Sequence, residues 1–411
     1  MLNGYRILDL SDDKGLFCGK LLADMGAEVV KVERPGGDPA RMIGPFYQDD
    51  PHPGKSLFWF AFCQGKQGVT LNLEEQRGRD LLKNLAAKAD AVIESFPIGY
   101  LDSIGVGYDA LTEVNPTLVY TTVTPFGTTG PYKDYKGPDI VAMAMSGYMS
   151  LCGDTDRAPV RDSFPIAYPI AGTEAAAGTV MALFHRGRTG KGQRVDASAQ
   201  QSSVSLSANA PAFQDINQRR LRRSGQFRGE LLAAIPERQV WPCKDGFICF
   251  AIYGGATGAR VNQALVDWMD SEGMADEFLR GIDWKALDMS TVTREWMEPV
   301  EDRLGAFFLT HTKNEMLQGA LERRLILLPV YDMTDIINDP QLQSRGYWMD
   351  VEHPELGRSI TYPGAFIQSR PTPVQPGKRA PMVGEHNREV YGGWLGLTVD
   401  EIDALKQQGV I

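Results

Sequence analysis

Cysteine is scarce in this chain and shows no pairing: Cys18, Cys63, Cys152, Cys243 and Cys249 are odd in number, widely scattered, and nowhere spaced as CxxC. A disulfide scaffold and a zinc–thiolate centre are therefore not expected, and a reducing, cytoplasmic compartment is. A cationic surplus is also missing. Lys and Arg number 42 against 52 Asp and Glu, a net charge of −10, whereas a bulk binder of nucleic acid or anionic membrane needs a positive face. No apolar stretch follows the opening MLNGYRILDLSDDKG as a leader would require. No run approaches the roughly 18 uninterrupted apolar residues of a membrane helix.

What is present is ordinary globular chemistry. With 43% hydrophobic and 23% charged residues the chain can afford a packed core. At roughly 100–200 residues per domain, 411 residues suggest two or three domains, or one large domain with an insertion. The opening alternates strand and helix: Tyr5 to Leu10 reads as a strand, Phe17 to Met25 as a helix closed by Gly26, and Glu28 to Glu33 as a second strand. The pattern returns with strand-like Gly68 to Leu73, an amphipathic helix from Gln76 to Ala89, and strands at Ala91 to Glu94 and Leu118 to Val123. Such alternation predicts an α/β fold with a doubly wound, Rossmann-like core. No GxGxxG joins the first strand to its helix, so nicotinamide and flavin binding lack support.

Further along, Ala171 to Gly178 opens a long helix and Arg186 to Gln193 reads as a basic turn before the strand Arg194 to Ala197. The polar stretch with Arg219-Arg220-Leu221-Arg222-Arg223 reads as a linker. The predicted organisation is a large domain over 1–210, a linker over 211–236, a small α/β domain over 237–325, and a return segment over 326–411 that completes the large domain and ends in the helix Val399 to Gln408.

Several segments together resemble the class III CoA-transferases, the CaiB/BaiF family. They are Leu22-Ala23-Asp24-Met25-Gly26-Ala27-Glu28 running on to Arg34-Pro35, Gly37-Asp38-Pro39-Ala40-Arg41, Val69 to Leu73, and Ala89-Asp90-Ala91-Val92-Ile93-Glu94-Ser95-Phe96. Asn115 to Tyr120, Phe126 to Pro131, Arg188 to Gln193, Asp339-Pro340-Gln341-Leu342, Glu352 to Gly357 and Gly384-Glu385-His386 continue the likeness to the chain's end. The resemblance implies a large Rossmann-like domain built from both chain ends, a smaller α/β domain, and two ring-like subunits interlocked as a dimer. It also implies an enzyme that moves CoA between carboxylic acids, or in one branch epimerises 2-methylacyl-CoA esters, with CoA or its thioester as substrate and no metal.

In the family an aspartate opens the thioester, and a carboxylate suits this because its acyl adduct stays activated and reversible. The corresponding run here is Val160-Arg161-Asp162-Ser163-Phe164-Pro165-Ile166-Ala167-Tyr168-Pro169-Ile170-Ala171-Gly172. Tyr168 occupies the nucleophile position, and a phenol, mostly neutral near pH 7, does not replace a carboxylate. Asp162 and Glu174 flank it out of register. The racemase pair is absent as well, since Gly137-Pro138-Asp139-Ile140 lacks the branch's histidine.

The resemblance carries CoA contacts onto Arg34 and Lys136, whose cations suit phosphates, and onto Ser95 and Phe96, where the family has asparagine before the phenylalanine. Gly65-Lys66-Gln67 and Ser103 depart from the family's CoA-side pattern, and Lys14-Gly15-Leu16-Phe17 alters the wall after the first strand. Tyr253 to Gly258 reads as a turn or as a glycine loop over the thioester. The expected function is that of a CoA-transferase subunit without its own nucleophile, inactive alone. Its partner would be a homologous subunit carrying the aspartate, as in heteromeric members such as the succinyl-CoA:benzylsuccinate CoA-transferases. A homodimeric enzyme with an aspartate-independent mechanism and a non-catalytic CoA-ester binding protein are the alternatives.

Overall fold

A computed structural model describes residues 1–207, 209–218, 220–228, 234–370, 372–374 and 377–411. Arg219, residues 229–233 of the expected linker, and Pro371 lie outside the described residues. The chain divides into two compact units, one made of Met1–Tyr148, Asp162–Ser207 and Gln341–Ile411, the other of Met149–Arg161 and Ala208–Pro340.

In the first unit the strands β1 (Arg6–Asp9), β2 (Glu28–Glu33), β3 (Gln67–Thr70), β4 (Ala91–Glu94), β5 (Val119–Thr124) and β6 (Arg194–Ser198) form one sheet in the order β3-β2-β1-β4-β5-β6. All neighbours are parallel. Parallel pairing requires a crossover between successive strands, and helix α1 (Leu16–Asp24), buried along nearly its whole length, supplies the first. β4 and β5 are buried at every residue, as expected for a sheet with both faces covered. Leu8, Val30, Val69, Leu82 and Val92 form a core with Tyr391, Trp394 and Ile411 from the end of the chain.

That return also closes the sheet edge. His386 Nδ1 accepts the Gly68 N–H at 3.1 Å, Asn387 Oδ1 accepts the Thr70 N–H at 2.9 Å, and the Tyr391 hydroxyl donates to the Thr70 carbonyl at 2.7 Å. Side chains of the helix Asn387–Leu395 and of its N-cap thus satisfy backbone groups of β3 that an edge strand leaves open. The sequence pattern missed this helix.

The basic tract differs from expectation. The helix Ala167–Thr189 begins before Ala171 and runs through Arg186 and Arg188 to a left-handed Gly190 at φ 71°. Only the residues after it turn. Arg186 lies in the last helical turn, where a cation suits the helix dipole, and reaches Asp90 at 2.5 Å.

In the second unit Leu327–Val330, Gly246–Phe250 and Val240–Cys243 form an antiparallel sheet in that order. Helices Gly255–Ser271, Arg294–Phe308 and Lys313–Arg323 accompany it, around Trp241, Phe250, Trp268, Phe307 and Phe308. Gly319 is needed there, because a Cβ would sit 2.1 Å from the Trp268 ring. Two expected boundaries move. The stretch 211–236 is not all linker: the helix Asn209–Asn217 runs into it, and the strand Phe227–Arg228 within it pairs with Glu237–Arg238. The return to the first unit comes at Gln341 rather than 326, because Leu327–Val330 is the third strand of the second unit's sheet.

Candidate active site

The strand order reverses between β1 and β4, and in open parallel sheets the loops leaving the carboxyl ends at such a point diverge to leave a crevice. Here the loops after β1, β4 and β5 enclose a cavity of about 480 Å³ lined by Asp13, Lys14, Ser95, Phe96, Lys136 and Tyr168, among others. A second cavity, of about 520 Å³, lies at the ends of β1, β2 and β3, with Asp12, Arg34, Asn72 and Tyr100 in its wall. Phe96 lines both. Its ring stacks on Tyr100 at 5.2 Å, and its backbone N–H donates to Glu94 Oε2 at 2.8 Å. Burial pushes the Glu94 carboxyl up to about 7, against the hydrogen bonding and the Arg194 charge that favour its anion.

All four residues carried over for CoA therefore meet these cavities, but in different roles. Arg34 is exposed; its Nε donates to the Gly37 carbonyl at 3.2 Å, and its terminal amines have no partner among the described residues. Lys136 is exposed and forms no ion pair among the described residues. Although the resemblance sends both to the nucleotide end of CoA, they line separate cavities. Ser95 is buried, and its hydroxyl already donates to Asp12 Oδ1 at 2.5 Å while accepting the Asp12 N–H at 2.8 Å. It joins the β1 and β4 loops and has little capacity left for a ligand.

Tyr168 stands in the first turn of the helix Ala167–Thr189 and is 5% exposed. Its hydroxyl donates to the Gly137 carbonyl, and the Ala167 N–H donates to Asp139 Oδ1 at 2.7 Å. Together these bonds fasten the loop bearing Lys136 to the helix start. Gly137 permits the approach, since a Cβ there would meet Pro125 at 2.5 Å. Burial, with the negative charges of Asp13, Asp12 and Asp139, pushes the Tyr168 phenol well above its ordinary value. The group is a neutral hydrogen-bond donor.

Neither flanking carboxylate lines the Tyr168 cavity. Glu174 accepts the Ser202 hydroxyl at 2.5 Å and the Ser205 hydroxyl at 3.2 Å, while Asp162 Oδ2 is buried without a hydrogen bond among the described residues. The carboxylates in the wall are Asp13 and Asp134. Asp13 is open to solvent and has no hydrogen bond or ion pair with another side chain among the described residues. The cavity wall takes part of its carboxyl out of water, and this desolvation, helped by the charge of Asp12, pushes it above the usual range. Sequence reasoning misses Asp13, for which the available signal is its place just after β1, at the carboxyl end of a parallel strand.

Lys66, which departs in context from the CoA-side pattern, points into the protein. It pairs with Asp9 at 2.7 Å, both side chains fully buried, and donates to the Leu16 carbonyl at 2.7 Å. Tyr253 to Gly258 is a turn into the helix Gly255–Ser271, where a Cβ on Gly258 would strike the Tyr253 carbonyl at 2.1 Å. Among the described residues no three His, Cys, Asp or Glu side chains gather as metal ligands, and no helix is long and apolar enough to cross a membrane.

The family model described as CoA-transferase family III matches residues 2–387. The chain is 34% identical over 408 residues to the succinyl-CoA:(R)-benzylsuccinate CoA-transferase subunit BbsE of Thauera aromatica, covering 99% of this chain and 97% of that one. It is 29% identical over 416 residues to the succinyl-CoA--L-malate CoA-transferase beta subunit of Chloroflexus aurantiacus, covering 100% and 98%. Among solved structures, a CaiB/BaiF family protein from Brucella suis superposes with a TM-score of 0.81 at 26% identity, covering 96% of this chain and 99% of that one.

Proposed function

Because the chain belongs to CoA-transferase family III, we propose that it is the non-nucleophilic subunit of a heteromeric CoA-transferase, paired with a homologous subunit that supplies the catalytic aspartate. One observation carries this reading: Tyr168, which the resemblance sets at the nucleophile position, is buried with its hydroxyl committed to the Gly137 carbonyl. In aspartate-dependent transfer the carboxylate attacks the thioester carbonyl, CoA leaves as its thiolate, and the resulting anhydride is reopened by that thiolate to give an aspartyl thioester and the free acid. Tyr168 offers neither the anion at neutral pH nor a carbonyl of its own on which CoA could be carried as a thioester. Two relatives that are themselves subunits support the partnered arrangement.

Mixed alone with an acyl-CoA, the chain is expected to gain no mass and to show no hydroxylamine-sensitive inactivation. A second reading has its own observation, the carboxylate of Asp13 in the same cavity as Tyr168. On that reading the chain acts by itself, and peptide mapping would find the adduct on Asp13, which would overturn the first.

In this reading the chain still binds CoA through its switch-point cavities. Among the described residues Arg34 and Lys136 have no carboxylate partner, and a charged hydrogen bond to phosphate contributes about 1.5–3 kcal/mol. Replacing both with alanine is expected to weaken CoA binding by at least about tenfold in calorimetry. Unchanged affinity would place CoA elsewhere or on the partner alone.

A further inference from the structure

Beyond the switch-point cavities, the second unit holds a cavity of about 410 Å³. Its wall has apolar surface from Leu221, Phe227 and Pro236, and charge from Arg222, Arg223 and Arg294, with no carboxylate among the described residues. In a chain of net charge −10, three cations at one cavity is a local inversion.

The arginines differ in what they have left to offer. Arg294 is neutralised by buried Glu301, which its two terminal amines grip. Arg223 donates to the carbonyls of Asp154 at 3.3 Å, Ser150 at 3.3 Å and Arg157 at 3.0 Å. Carbonyls fix a guanidinium without cancelling its charge. Arg222 has no hydrogen bond or ion pair among the described residues, so its planar pair of donors is available, and such a fork matches a carboxylate in two parallel bonds.

We infer that this cavity binds a small carboxylic acid with an apolar body, its carboxylate on Arg222 in the field of Arg223 and its body against Leu221, Phe227 and Pro236. The apolar wall disfavours a bare inorganic anion, which would lose water on that side without gain. The free acid and the phosphates of CoA are the two available anions, and the cavity selects the former.

The test is calorimetry on the full chain with phenylacetate, inorganic phosphate and CoA as separate probes. Saturable phenylacetate binding is expected, weakened by about tenfold or more in Arg222→Ala, with phosphate much weaker and CoA affinity unchanged by that substitution. Arg222→Lys, which keeps the charge without the fork, is expected to fall between; it also serves if the alanine variant fails to fold. Absence of saturable phenylacetate binding, equal binding of phosphate, or binding indifferent to both Arg222 variants would overturn the inference. So would loss of CoA affinity in their place.

Discussion

Co-expression of this chain with a homologue bearing aspartate at the position matching Tyr168 is expected to yield a stoichiometric complex that transfers CoA between carboxylic acids. Turnover should vanish when the partner's aspartate is changed to alanine and survive Tyr168→Phe here. The asymmetry follows from the chemistry of the two groups. A carboxylate is an anion at neutral pH and forms an anhydride that CoA reopens, whereas the Tyr168 phenol is held above its ordinary pKa by burial first and by three nearby carboxylates second, and is bonded to a backbone carbonyl. Losing that hydroxyl loosens the loop carrying Lys136 without removing a reacting group, so the effect should fall on the KM for the CoA ester and leave kcat nearly unchanged. Such a complex would give the retained fold its purpose, since an obligate interface between homologous subunits commonly exceeds about 2,000 Å². Full turnover by this chain alone, with no second chain present, would refute the proposal.

The largest stability effect is expected at Lys66, directly beneath the switch point. Its ammonium is the only cation paired with the fully buried Asp9 carboxylate among the described residues, and Asp9 Oδ1 also accepts from the Ser11 backbone and hydroxyl. The chain packs closely around the pair, since a Cβ added at Gly19 would lie 2.3 Å from Asp9 Oδ2 and 3.1 Å from Lys66 Nζ. Lys66→Met leaves an uncompensated buried charge, so a loss of about 3–5 kcal/mol is expected in urea titration, a large part of a typical domain's stability. Pairing it with Asp9→Asn should recover much of the loss, because both members of the pair are then removed. A cost for Lys66→Met below about 1 kcal/mol, the range of an exposed pair, would show that the site relaxes or hydrates.

The α/β core and its family were legible from residue order alone. Strand and helix periods alternate over the first part of the chain, and short apolar runs such as Ala91 to Glu94 are what a sheet buried on both faces requires. The same residue order set Tyr168 at the position that the family resemblance assigns to the nucleophile, which is where the proposal starts. These are local properties, set by side-chain type and spacing. What only the tertiary structure decided are the partnerships between distant segments. His386 meets Gly68 at 318 residues' separation, Arg223 is held by the carbonyls of a segment near residue 154, and Lys66 turns inward to Asp9 instead of outward to a ligand. Nothing in the period of a strand or helix says which side chain will reach across a fold. That is determined when burial leaves a charge or a backbone group without water, and the group that satisfies it is whichever the packed chain brings within reach.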